Sequence, residues 1–278
     1  MTCWDSDCDG SESDNSFELR EAYLTYKAPI GDVTFKAGKF VTLLGYEVIK
    51  SYNSFNHNVS NSIMFGYAIP FTHTGLLANI PVGEYVAFDL GVVNGWDTVA
   101  DNNDGKSLLW GLKIAPTEKF STYFAGTFGA EQPDNGHSKR TMFTANATYA
   151  PVDRLTLVLD GNYGLENDLP GFPEGERDVD WYGVAAYALV RLTDRTSFNL
   201  RAEVFDDPDG VRSGFQAPGF GPGATVWEIT PTLTCQVTEN LLARAEYRHD
   251  EADKPFFGKK DRMQSGSDSV AAELIYAF

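Results

Sequence analysis

The sequence predicts an all-β protein, an antiparallel up-and-down transmembrane β-barrel of about thirteen strands. Three observations predict it. Long runs alternate apolar and polar side chains with a period of two, the spacing of a strand whose two faces meet different surroundings. The connections between runs alternate short and long. The apolar half of each run is nearly free of charge, although the chain carries 39 Asp and Glu against 22 Lys and Arg, a formal charge of −17.

In chain order, the expected strands are 17–28, 32–42, 72–81, 85–97, 106–116, 119–131, 140–151, 154–165, 179–191, 195–206, 224–236, 240–250 and 268–278. The first pair meets at Pro29-Ile30-Gly31-Asp32 and the second at Pro81-Val82-Gly83-Glu84. There proline presets φ, and glycine or aspartate accepts the turn conformation. In 85–97, Val86, Phe88, Leu90 and Val92 alternate with Ala87, Asp89 and Gly91. Turns at Pro116-Thr117-Glu118-Lys119 and Pro151-Val152-Asp153-Arg154 join the next pairs. In 154–164, Leu155, Leu157, Leu159, Gly161 and Tyr163 alternate with Thr156, Val158, Asp160 and Asn162. After the turn at 192–195, Phe198, Leu200, Ala202 and Val204 alternate with Ser197, Asn199, Arg201 and Glu203. After the turn at 237–240, Leu241, Ala243, Ala245 and Tyr247 oppose Leu242, Arg244, Glu246 and Arg248. The last strand sets Val270, Ala272, Leu274, Tyr276 and Phe278 on one face. Helix fits these runs poorly, because β-branched and aromatic residues dominate them and glycine recurs inside them.

Longer polar connections occupy 43–71, 98–105, 132–139, 166–178, 207–223 and 251–267. Short turns alternating with long loops are how outer-membrane barrels are built, turns toward the periplasm and loops outside. A two-sheet sandwich has no reason to sort its connections by parity. Counted this way, the first and last strands both run from a loop to a turn, whereas single-chain barrels have even strand numbers. Residues 1–16 are therefore expected to form an acidic external loop and 17–278 one barrel domain. A strand before residue 17 is expected to be missing from a parent barrel of fourteen or more.

Aromatic residues gather near strand ends, Tyr26, Tyr85, Phe120, Tyr149 and Tyr276 toward the turns and Trp96, Phe128, Tyr163, Trp181 and Trp227 toward the loops. Two girdles at lipid headgroup height are expected from them. An alternating last strand that ends in Phe278 resembles the signal by which the barrel-assembly machinery recognises its clients.

Composition narrows the field further. Hydrophobic residues make up 42% and aromatics 13%, enough for a folded chain. No stretch approaches the roughly eighteen apolar residues of a spanning helix. A mean hydropathy of −0.27 is compatible with a barrel, since only alternate residues meet lipid. The acidic balance argues against nucleic acid, whose phosphates need a basic footprint. The start has neither a basic nor an apolar leader region. Cys3 and Cys8 lie close enough for a small disulfide, with Cys235 left alone.

Three blocks, AYLTYKAPIGDVTFKAGKFVTLLGYEVI (22–49), FGYAIPFTHTGLLA (65–78) and GVVNGWDTVADNN (91–103), resemble the OmpL-like family of β-barrel porins from Gram-negative bacteria. The similarity runs from about residue 17 to the end. It implies an outer-membrane porin that lets small hydrophilic solutes or ions diffuse passively through a water-filled lumen, and it names no solute.

The segment 43–71 is too long and too rich in Tyr, Phe, Val and Ile for a solvated loop, and loops of such length are often functional. Two readings stand side by side: it packs over the barrel mouth, or it folds into the lumen, where Glu47, Lys50, Asn53, Asn56, His57 and Asn58 would set size and charge selectivity. Asp89, Asp160, Arg201, Glu203, Arg244, Glu246, Arg248 and Glu273 are expected to line the pore as a surface of crossed charges. His73 reads as a hydrogen-bonded histidine. Asp5, Asp7 and Asp9 copy the opening of a calcium loop, but Ser16 stands where the bidentate Glu belongs, which leaves a weak site at most. No histidine spacing suits a metal, and no phosphate-cradling or nucleophile-elbow motif occurs, so neither cofactor nor catalytic residue is expected. The expected partners are the outer-membrane bilayer, the assembly machinery, small solutes and further copies of the chain. Three readings compete: a barrel enzyme, a sheath around an electron-transfer partner, and a soluble sandwich.

Overall fold

The computed structural model describes residues 19–49, 56–213, 223–259 and 262–278. Its elements are β1 (Ala22–Lys27), β2 (Thr34–Val41), α1 (Ile63–Tyr67), β3 (Thr72–Val82), β4 (Val86–Val93), β5 (Ser107–Thr117), β6 (Phe120–Gly129), β7 (Arg140–Val152), β8 (Leu155–Phe172), β9 (Gly175–Arg191), β10 (Thr196–Asp207), β11 (Ala224–Gln236), β12 (Leu241–Ala252), β13 (Phe257–Lys259), β14 (Arg262–Gln264) and β15 (Gly266–Tyr276). Thirteen strands form one sheet in chain order, β1 through β12 and then β15, while β13 and β14 form a separate small hairpin. The ladders are antiparallel throughout, as expected where tight turns link successive strands.

The short connections are the ones the turn residues predict. Between β1 and β2, Ala28 N donates to Val33 O at 2.8 Å, and Gly31 and Asp32 both adopt positive φ, of 69° and 52°. Glycine, and to a lesser degree aspartate, takes positive φ at little steric cost, which explains a Gly-Asp pair here. Between β9 and β10, Leu192 N donates to Thr196 O at 2.9 Å, and between β11 and β12, Val237 N donates to Leu241 O at 2.8 Å.

The faces of the sheet decide its surroundings. On β8, Leu157 and Leu159 are 40% and 55% exposed, while Val158, Asp160 and Asn162, of the opposite parity, are buried. On β10 and β12 the same inversion holds, with Val204 and Tyr247 outside and Arg201, Glu203, Arg244 and Glu246 buried. In a water-soluble sandwich the aliphatic rows would be the buried ones. Here they form an exposed belt, and the charges lie on the opposite face, which suits a sheet wrapped by acyl chains around a wet interior. An arginine at Leu159 is therefore expected to cost about 2–4 kcal/mol, read as an earlier urea midpoint in lipid vesicles. An unchanged midpoint would mean this face does not meet lipid.

Four expectations need correction. The stretch 166–178 is not an open loop: β8 and β9 continue through it as a ribbon, with register shifts after Glu166 and Leu169. Its residues alternate poorly because water can bathe both faces beyond the bilayer, so backbone pairing persists without a period-two signature. The connection 251–267 likewise contains the β13–β14 hairpin. The connection 43–71 includes the helix α1. Finally, Trp181 and Trp96 are not in an outer girdle. Trp181 is fully buried on the inner face, opposite Gly164, where any Cβ would overlap its ring, and Trp96 packs edge-on against it at 6.2 Å. The other aromatics expected in the girdles, among them Tyr26, Tyr85, Tyr149, Tyr163 and Trp227, are exposed.

At its two edges the sheet ends in β1 and β15, which are not paired with each other among the described residues. Both run from the loop end to the turn end.

Candidate functional site

The segment between β2 and β3 starts and ends as a continuation of the sheet. Thr42 N donates to Phe71 O at 2.9 Å, and the Thr42 hydroxyl meets His73 Nε2 at 3.0 Å. His73 is buried, and its Nδ1 lies 3.2 Å from Gly95 O, so it is a hydrogen-bonded histidine at the root of the segment. Beyond this stem the chain leaves the ladder and crosses to strands far along the sheet.

The crossing is fixed first on β7 and β8. Gly45 N donates to the Thr144 hydroxyl at 3.3 Å, Asn146 Nδ2 donates to Gly45 O at 3.3 Å, and Tyr46 N donates to Asp160 at 3.1 Å. Next come β10, β11 and β12. Asn199 Nδ2 donates to His57 O at 3.0 Å, and Asn58 Nδ2 donates to Thr230 O at 3.0 Å and to the Thr232 hydroxyl at 2.7 Å. Glu246 accepts from Val59 N at 2.5 Å and from Ser60 N at 2.8 Å. Arg244 donates to Asn56 O at 2.6 Å, and Arg248 donates to Asn61 O at 2.6 Å.

Then α1 begins. Its first-turn amides have no partner within the helix and need acceptors from elsewhere. The Ser62 hydroxyl accepts from Phe65 N at 2.9 Å as an N-cap, and the Glu203 carboxylate of β10 accepts from Ile63 N and from Met64 N, the latter at 3.1 Å. The apolar side of α1, Ile63, Met64 and Phe65, joins Leu44, Ile69 and Trp181 in a small buried core inside the sheet. Trp181 Nε1 donates to Ala68 O at 3.0 Å at the exit.

Arg201 is the centre of this arrangement. It is fully buried and donates to Glu47 at 2.7 Å, to Glu228 at 2.5 Å, and to Ser60 O at 2.8 Å and Asn61 O at 3.2 Å. Glu47 also accepts from Ser62 N at 2.9 Å and from the Tyr187 hydroxyl at 3.3 Å. Segment and wall thus share one guanidinium, flanked by carboxylates from both. A cavity of about 150 Å³ lies beside it, lined by Tyr46, Glu47, Val48, Asn56, His57 and Tyr187. The His57 ring stacks on Tyr46 at 6.5 Å, and burial, helped by the nearby Arg244 charge, holds its pKa below the usual histidine value. The imidazole is therefore neutral at pH 7.

The structure thus brings together Glu47, Asn56, His57, Asn58, Asp160, Arg201, Glu203, Arg244, Glu246 and Arg248. Glu273 joins through Arg244, whose Nε lies 2.7 Å away. Asp89 stands apart on β4, held by Asn79 Nδ2 at 2.8 Å and the Tyr123 hydroxyl at 2.9 Å. Lys50, Asn53, Asp5, Asp7, Asp9, Cys3 and Cys8 lie outside the described residues. Sequence reasoning missed Glu228, Asn199, Thr230 and Thr232, although each sits on the polar parity of its strand and could have been found there. It also missed Asp207, which is buried and accepts from Val211 N, Arg212 N and Ser213 N.

Over residues 4–278 the sequence matches the protein family described as "Putative beta-barrel porin-2, OmpL-like". No curated protein sequence matches it. Among solved structures, the fold is similar to the outer membrane channel DcaP of Acinetobacter baumannii, at 13% identity and a TM-score of 0.67, over 96% of this chain and 77% of that one. It is also similar to OmpT of Vibrio cholerae, at 11% identity and a TM-score of 0.61, over 94% and 81% of the two chains. An anion-selective porin from Comamonas acidovorans follows at 11% identity and a TM-score of 0.60, over 91% and 73%. At such identities the likeness is one of fold.

Proposed function

The chain belongs to the OmpL-like family of β-barrel porins, and from that premise we propose that its segment 43–71 is the constriction of the pore. As a porin of the bacterial outer membrane, the protein lets solutes diffuse passively down their gradients. The observation that carries the constriction is the set of hydrogen bonds between this one segment and the inward faces of six strands, β7 to β12. A segment that merely covered the mouth would not need acceptors so far down the wall. With the segment held against that side, small hydrophilic solutes and ions have a path along the remaining wall. Part of the inner charge is therefore structural: it holds the segment and is not free to select solutes.

One further expectation belongs to the same reading. The last strand, with Val270, Leu274 and Tyr276 on its exposed face and Phe278 beyond it, suits recognition by the assembly machinery.

The purified chain in planar bilayers is expected to give stepwise ion currents, and in liposomes to admit small sugars faster than large ones. A sealed bilayer under both conditions would remove the pore reading.

A further inference from the structure

The inner face is more informative once its charges are sorted by whether water reaches them. The carboxylates that hold the segment, Glu47, Asp160, Glu203, Glu228 and Glu246, are each at most 5% exposed. Each accepts hydrogen bonds from the segment or its anchoring arginine. Nearer the turns, the inward carboxylates of the sheet are Asp89 and Glu273, and both are engaged, the first by Asn79 and Tyr123 and the second by Arg244. Little acidic charge on this lining is therefore available to a passing ion.

Cations on the same face are differently placed. Lys36 pairs in register with Leu77, a buried inward residue, and stands near the turn-side start of β2. Its ammonium lies 4.5 Å over the Tyr23 ring, with no carboxylate partner among the described residues. Lys113 pairs in register with Tyr123, whose hydroxyl reaches inward to Asp89, and it is exposed near the turn-side end of β5. Arg191 is the exposed last residue of β9 and shares the inward parity of Tyr187, buried four residues before it. Neither Lys113 nor Arg191 has an ion pair among the described residues. These three strands are well separated in the order of the thirteen-stranded sheet, so the charges spread around the wall.

We infer that Lys36, Lys113 and Arg191 form a cationic ring on the turn side of the lumen and make the pore prefer small anions, in spite of the chain's formal charge of −17. The inference rests on the pore reading above and adds the class of solute. Rings of Lys and Arg are a general means of favouring anions in a pore. The turns themselves are mixed in charge, with Asp32 bound to Lys27 at 2.8 Å, so the preference comes from the lining. Coulomb attraction at about 5 Å in a water-like dielectric corresponds to about a fourfold preference per cation. Salt should erase it, because the screening length falls from about 10 Å at 0.1 M to about 3 Å at 1 M.

The test is the reversal potential of the full chain in a planar phosphatidylcholine bilayer under a tenfold potassium chloride gradient. The expected sign is that of chloride, with a permeability ratio several-fold above one at 0.1 M and close to one at 1 M. The variant carrying K36Q, K113Q and R191Q should keep its conductance steps and lose the chloride preference, whereas K119Q, in a turn, should retain it. A potassium-favouring potential in the unaltered chain, or a preference untouched in the triple variant, would overturn the assignment while leaving the pore intact. Absence of any channel would instead overturn the pore reading and the assignment with it. Heat-resistant electrophoretic mobility verifies that each variant has folded.

Discussion

Replacing residues 45–69 with a short Gly-Ser bridge is expected to raise single-channel conductance several-fold and to relax the size limit for sugars in liposome swelling. The excision is geometrically mild. Thr42 and Phe71 already bond at 2.9 Å, and Val41 pairs with Thr72, so the stems of β2 and β3 stay together without the segment. The ladders of β7 to β12 are strand-to-strand and do not depend on it. What is lost is the apolar cluster around α1 and every bond to the inner wall. Carboxylates such as Glu203 and Glu246 then face the lumen, where water replaces the amides they accepted from. If the segment lay only over the mouth, the narrowest part of the channel would be unchanged. Equal conductance before and after excision would therefore dispose of the constriction.

Truncating Arg201 to alanine is expected to give the largest stability loss of any single substitution in the site. Arg201 is entirely buried and touches Glu47 from the segment, Glu228 from β11 and two segment carbonyls. Its removal leaves two buried carboxylates without their shared cation, and breaking such an arrangement from one side costs about 3–5 kcal/mol. Exposed ion pairs are worth far less, typically below about 1 kcal/mol. The measurement is the urea midpoint of the chain in lipid vesicles, with open-channel noise recorded in parallel, since a loosened segment should flicker. Adding Glu228→Gln to Arg201→Ala should recover part of the loss by removing one orphaned charge. A loss under about 1 kcal/mol would mean that water reaches this cluster and that the latch is not what holds the segment.

The outer wall was legible from the order of residues because lipid and water impose opposite demands on adjacent side chains. Leu157, Asp160 and Leu159 announce their faces without any knowledge of neighbouring strands. Where that contrast ends, the signal ends. From Glu166 to Asp178 the two strands stay paired through register shifts without regular alternation, and a paired structure reads like an open loop. Trp181 failed for a different reason: an aromatic near a strand end looks like a girdle residue unless its parity is followed to Gly164 on the preceding strand.

The site was only half legible. The residue types in 43–71 are wrong for a solvated loop, which left a cover over the mouth and an inward fold as the two readings. Which groups hold it was not deducible, because Val59 meets Glu246 across 187 positions and Asn58 meets Thr232 across 174. Nothing local records such pairs.

Taken alone, the order of residues determined the number of strands in the sheet, their sequence around it and the face each turns to lipid, since these follow from a period of two and from turn chemistry acting over a few residues. Only the tertiary structure decided which inner charges are consumed in holding the segment and which remain open to water. That division depends on burial and on partners far apart in the chain, and charge left accessible, not charge counted, is what a passing ion can feel.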